Sequence, residues 1–150
     1  MERRRGFTLI EVATAIMVGG ILLSFAVTAF GSVRSRYAVR EASNAFTALH
    51  ARARAQAIEY AQLVELNVAV EGDSIWIERN DTTLEKLRFA EEFGVRMTRP
   101  EASFRLCFNS RGYGDLDCGS LSVDAGAVTV VFENGADADS LEVLPTGLVR

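Results

Sequence analysis

The sequence predicts an α+β fold, a long N-terminal helix packed on antiparallel β-sheet. Three observations carry this. Residues 31–62 contain no proline, so nothing interrupts a helix there. Within them Ala42, Phe46, Leu49, Ala53, Ala57 and Tyr60 recur at three- and four-residue spacing, which draws one apolar stripe down a helix. From Leu63 the period drops to two, in Leu63-Val64-Glu65-Leu66-Asn67-Val68-Ala69-Val70, as a strand with one buried face requires. A length of 150 residues suits a single domain with one modest core.

The first element begins abruptly. Arg3-Arg4-Arg5-Gly6 is followed by Phe7-Thr8-Leu9-Ile10-Glu11 and then by an uncharged run from Val12 to Phe30. At about 1.5 Å per residue that run is roughly 28 Å long, close to the ~30 Å of bilayer hydrocarbon. Its polar residues are Thr14, Ser24 and Thr28, whose hydroxyls can bond back to the helix backbone. Three arginines before it keep residues 1–6 cytoplasmic by the positive-inside rule and send the remainder outward. Glu11 is the anomaly. An acid inside such a segment costs on the order of 2.5–3.5 kcal/mol on insertion scales, and that marks it as a functional residue. A secretory signal peptide, cut near Ala29-Phe30-Gly31, is the alternative. It leaves Glu11 without a role and makes the apolar stretch longer than such peptides need.

The remaining elements follow from period and punctuation. Leu63–Val70 and Ser74–Glu78 flank Glu71-Gly72-Asp73 and read as a hairpin. Leu84–Phe89, Ser103–Asn109, Ala127–Glu133 and Ser140–Leu144 are further strands, separated by Gly, Asn and Asp clusters. Arg34 and Arg36 fall just past the apolar run, where they can meet lipid headgroups, although a solvated face is the commoner fate of such arginines.

Charge and motif content exclude several functions. The formal net charge is −4; residues 1–6 contribute three arginines against Glu2, leaving −6 on the rest. That argues against a general polyanion binder. His50, the single histidine, has no nucleophile or acid motif near it, and we read it as a surface or half-buried residue rather than a base. There is no Gly-rich phosphate loop and no zinc spacing. The sequence therefore predicts neither an enzyme nor a cofactor. Cys107 and Cys118 would close a short loop worth roughly 3 kcal/mol in an oxidising compartment. Asp115 and Asp117 fall in that loop, and a polar turn is the default reading over a calcium site, which needs more oxygens.

Gly6 followed by Phe7-Thr8-Leu9-Ile10-Glu11-Val12 resembles the processing site of type IV prepilins and type II secretion pseudopilins. The resemblance implies cleavage between Gly6 and Phe7 by a prepilin peptidase, N-methylation of Phe7, and a role for Glu11 in assembly, paired with the Phe7 amine of a neighbouring subunit. Residues 1–6 would be the leader, 7–30 the membrane segment, and 31–150 a periplasmic domain. The protein would sit in the inner membrane until lifted into a filament, with other pilin or pseudopilin subunits and the inner-membrane assembly platform as partners. Many pilins carry a proline further along this segment; none occurs here, and Gly19-Gly20 is the weak point of the helix.

Ala53-Arg54-Ala55-Gln56-Ala57-Ile58, then strands, then Pro145-Thr146-Gly147-Leu148-Val149-Arg150 is similar to the GspH/FimT group of minor pilins and pseudopilins. Whether a pilus or a secretion pseudopilus is meant is not decided by these residues. The FimT branch implies DNA uptake through a C-terminal Gly-Arg-x-Arg stretch. Here Leu148 stands where the first arginine would be, so DNA is disfavoured as a partner, and Arg111 and Arg150 are the residues that would contact it.

Overall fold

The structure, a computed structural model, describes residues 8–100, 102–121 and 126–150, and for 26–29 and 32 the backbone only. The first helix, α1, runs Leu9–Tyr60. Among the described residues seven strands and a one-turn helix follow: β1 (Val64–Ala69), β2 (Ser74–Arg79), β3 (Thr82–Arg88), α2 (Phe89–Glu92), β4 (Arg96–Arg99), β5 (Phe104–Phe108), β6 (Val128–Asn134) and β7 (Asp137–Val143). The chain divides into two compact units, one through Arg34 and one from Ser35 to Arg150.

In the N-terminal unit α1 opens on Thr8, whose hydroxyl and carbonyl both accept from the Glu11 amide, at 3.3 and 3.1 Å. Thr8-x-x-Glu11 is the residue pattern of a capping box, with the acid in the first turn where the helix dipole favours it. Thr14 and Ser24 donate back to the Glu11 and Gly20 carbonyls at 3.0 and 2.9 Å. This is the backbone bonding expected of hydroxyls in an apolar helix.

The unit from Ser35 onward is built on the rest of α1. Val39, Ala42, Phe46, Leu49, Ala53 and Ala57 form its buried stripe. Tyr60, expected to end that stripe, is instead 49% exposed. The Arg79 guanidinium stacks 4.0 Å from its ring centre, so the tyrosine is held at the surface by a cation rather than drawn into the core. The helix stops at Ala61, which takes φ 50. There the Gln62 amide donates to the Ala57 carbonyl and the Ala61 amide to Ile58, both at 3.3 Å, the pair of bonds that closes a Schellman end.

Where a single sheet was the simplest expectation, the strands form two. One is four-stranded in the order β3-β2-β1-β5 and the other three-stranded in the order β4-β6-β7, and all pairings are antiparallel. Their inner faces share one core with α1. Val64, Leu66 and Val68 of β1 point into it with Ile75 and Ile77 of β2. Phe132 of β6 lies 6.0 Å from Phe46 and 4.8 Å from Phe89, ring centre to ring centre. The expected β1–β2 hairpin forms, with Glu65 opposite Glu78 and Ala69 opposite Ser74.

Its turn residue Asp73 does more than reverse the chain. It takes φ 44, accepts the Phe89 amide on its carbonyl at 2.8 Å, and accepts the Met97 amide on its carboxylate at 2.6 Å. One turn of the first sheet thereby fixes both α2 and the start of the second sheet. The strand β4 was not expected from sequence; in Arg96-Met97-Thr98-Arg99 only Met97 is buried, too little for an alternating pattern. β7 starts at Asp137 rather than Ser140 because Asn134 pairs directly with Asp137 across Gly135-Ala136. Gly135 supplies the positive φ (65) that this tight turn demands.

Candidate functional site

Two of the residues expected to be processed, Gly6 and Phe7, lie outside the described residues. Glu11 is described: it is exposed, in the first turn of α1, one turn from Thr8. Sequence reasoning weighed Glu11 only for its charge and passed over the cap, although the Thr-x-x-Glu spacing was there to be read.

Apart from Thr8 and Thr14, what surrounds Glu11 along the helix is apolar. Leu9 is 89% exposed, Ile16 70% and Phe25 72%, and Ile10, Met17, Ile21, Leu22 and Leu23 are also largely uncovered. A helix hydrophobic all round is a buried helix, and covering each such side chain is worth about 1.5–3 kcal/mol. Positions Gly19 and Gly20 would leave an added Cβ with nothing within 4 Å, so the helix surface there is open to a close neighbour. Among the described residues no helix is long and apolar enough to cross a membrane; the run from Val12 to Phe30 includes positions 26–29, whose side chains are not described.

Just beyond, Arg36 keeps 75% of its side chain exposed, the solvated placement that is the commoner fate of such arginines. It pairs with Asp137 at 3.1 Å, and the Ser35 hydroxyl donates to the same carboxylate. The Ser35 hydrogen bond, more than the Arg36 charge, holds the Asp137 carboxyl below its ordinary pKa. The start of β7 is thereby fastened to α1.

The two cysteines are joined in a disulfide with Cα atoms 5.8 Å apart. Their loop covers the outer edge of β5: the Asp115 amide donates to Cys107 O at 2.7 Å and Ser120 N to Arg105 O at 2.9 Å. That covering satisfies backbone groups which an edge strand otherwise leaves open. The Asp115 carboxylate accepts from the Asp117 amide at 3.1 Å, a side-chain turn rather than a converging pair of acids. Glu65 approaches both sulfurs within 4.8 Å, but bonded sulfurs offer no thiolate to a metal.

The two candidate DNA contacts are not brought together by any contact among the described residues. Arg111 is exposed, in a turn tied by Asn109 Oδ1. Arg150 is paired with Glu142 at 2.6 Å, so a phosphate would have to compete with a carboxylate for it. His50 is 6% exposed, not a surface or half-buried residue. Its ring stands edge-on to Phe108 at 5.2 Å. Burial, with a smaller contribution from Arg54, pushes its pKa down to about 4, and its Nε2 has no hydrogen-bond partner. At neutral pH it is an uncharged core residue without the partners of a base.

Residues 1–27 match the family described as the prokaryotic N-terminal methylation motif. The fold matches that of the type IV minor pilin FimU of Pseudomonas aeruginosa strain PAO1. In its P21 crystal form the TM-score is 0.55 at 15% sequence identity, covering 77% of this chain and 88% of that one. In its P65 form the values are 0.48 and 14%, covering 74% and 90%. Among curated proteins none matches the chain. The chain thus carries a prokaryotic N-terminal methylation motif, and behind it a long helix on antiparallel sheets in a fold like that of a type IV minor pilin.

Proposed function

We propose that this protein is a minor subunit of a type IV pilus or a type II secretion pseudopilus, of the GspH/FimT kind, structural and not catalytic. A prepilin peptidase cuts it after Gly6 and the Phe7 amine is methylated. Residues 7–30 hold it in the inner membrane, residues 31–150 stand in the periplasm, and the N-terminal helix later carries it into the filament. The observation that supports this most is the all-round exposure of apolar side chains from Leu9 to Phe25, in a stretch whose one acid is Glu11. Lipid covers such a surface before assembly, and neighbouring helices cover it afterwards. Within either, Glu11 and the Phe7 amine of a neighbour remove two uncompensated charges from an apolar medium. Taking away one partner of such a pair costs about 3–5 kcal/mol.

Mass spectrometry of the protein recovered from cells tests the processing. The expected N-terminus is N-methylated phenylalanine at position 7; an intact arginine triplet, or a start near Gly31, overturns the reading. Assembly is tested separately. Glu11→Ala is expected to reduce the protein in the sheared filament fraction at least about tenfold, as even a fraction of that pair energy dictates. Its amount in the membrane should be unchanged.

A further inference from the structure

A groove of about 330 Å³ lies between α1 and the C-terminal segment. Its α1 wall is Thr47, His50, Ala51, Arg54, Ala55 and Ile58, and residues 147–149 form the other. Ala51 and Ala55 are exposed and small, so the helix is open to close approach, and Ile58 and Leu148 both leave about half their surface uncovered. His50, buried and uncharged at neutral pH, adds no competing charge to this wall.

One charged side chain, Arg54, lines the groove, and among the described residues it has no counterion. Arg36, Arg52, Arg88, Arg105 and Arg150 each pair with a carboxylate. Arg54 takes part in none of the ion pairs among the described residues, although it is half-buried. The neighbouring loop runs close to its stem: a Cβ at Gly112, where φ is +77, would fall 3.2 Å from Arg54 Cγ. A positioned cation without an anion, beside an apolar bed and with no acid in the lining, defines its complement by charge and by polarity.

We propose that this groove docks a peptide segment of a partner protein in which an Asp or Glu carboxylate stands next to an apolar side chain. The carboxylate pairs with Arg54, and the apolar side chain lies on Ala51, Ala55, Ile58 and Leu148. The volume suits a short segment of chain, being at the small end of ligand sites. This goes beyond the filament reading: binding at the groove involves neither Glu11 nor the Phe7 amine, so either idea can fail alone.

Because His50 is the single histidine, its ring resonances report the groove without overlap. The full chain, labelled at histidine and held in neutral detergent micelles, is titrated with acetyl-Leu-Glu-Leu-amide, acetyl-Leu-Gln-Leu-amide and inorganic phosphate. The expected result is a saturable shift of the His50 ring with the Glu peptide, about tenfold weaker with the Gln peptide. The shift should be lost in Arg54→Gln and partly retained in Arg54→Lys, whose unliganded His50 signal also checks that the fold is intact. Three results overturn the proposal: no shift at peptide concentrations on the order of 10 mM, equal shifts with both peptides, or a phosphate response as strong as that of the Glu peptide. The last would make this a phosphate site of the sort a nucleic acid uses.

Discussion

At the scale of the residue, His50 couples this fold to pH. Its folded pKa, about 4, lies below its ordinary 6.5, so between those values the unfolded chain binds a proton that the folded chain refuses. Stability is therefore fully present above pH 6.5 and falls as pH drops toward 4. A shift of this size corresponds to up to about 3 kcal/mol. Carboxylates also begin to titrate below about 4.5, which leaves pH 4.5–6.5 as a window in which the imidazole dominates. Thermal unfolding of the full chain in detergent should show a melting temperature that declines through this window, and His50→Gln should flatten the decline. Two backbone positions make opposite predictions. Ala61 ends α1 with φ 50, a conformation that disfavours a Cβ, so Ala61→Gly should stabilise by about 1 kcal/mol in the same melt. Gly147 has φ +79, and a Cβ there would fall 2.8 Å from Phe108 Cε1. Gly147→Ala should destabilise by about 2–3 kcal/mol, through strain and overpacking together.

At the scale of the element, α1 changes its solvent along its length. Its first turns present apolar side chains in every direction, whereas from Val39 onward apolar burial narrows to one stripe. Phe46 and Leu49 stand between Ala42 on one side and Ala53 and Ala57 on the other, so the large side chains fill the core where the small ones let the sheets come near. Phe46 is fully buried and meets Phe132 edge-on. Phe46→Ala should lower unfolding free energy by about 3–5 kcal/mol, read by chemical denaturation, and should loosen both sheets together because Phe132 belongs to the second. The four-stranded sheet differs at its two edges. β5 is covered by the disulfide loop, while β3 is mostly exposed and carries Glu85, paired to Arg52, and Lys86, placed over Trp76. Charges of this kind on an edge strand discourage unplanned pairing.

At the scale of the whole molecule, the N-terminal helix was the more legible part. Its basic start, its acid and its apolar run are contiguous residues, so spacing alone exposed them, and the methylation motif match over residues 1–27 falls on the same stretch. Five of the six stripe residues were legible for the same reason, as was the β1–β2 hairpin. Helical and strand periods are local properties of the chain. Contacts between distant segments decided the rest. β4 exists because Met97 lies opposite Phe132 and the Met97 amide reaches Asp73, not because its own four residues favour a strand. His50 is buried because Phe108, far along the chain, comes to its ring. Arg36 finds Asp137 across 101 residues of sequence, and Tyr60 stays outside because Arg79 meets it there. The sequence by itself determined the long helix and the strands with an alternating period, and that the helix starts with an acid in an apolar run. Tertiary structure alone decided the division into two sheets, the counterions of Arg36, Arg52 and Arg105, and the burial of the single histidine. Each of those depends on side chains that only folding brings within a few ångströms of one another.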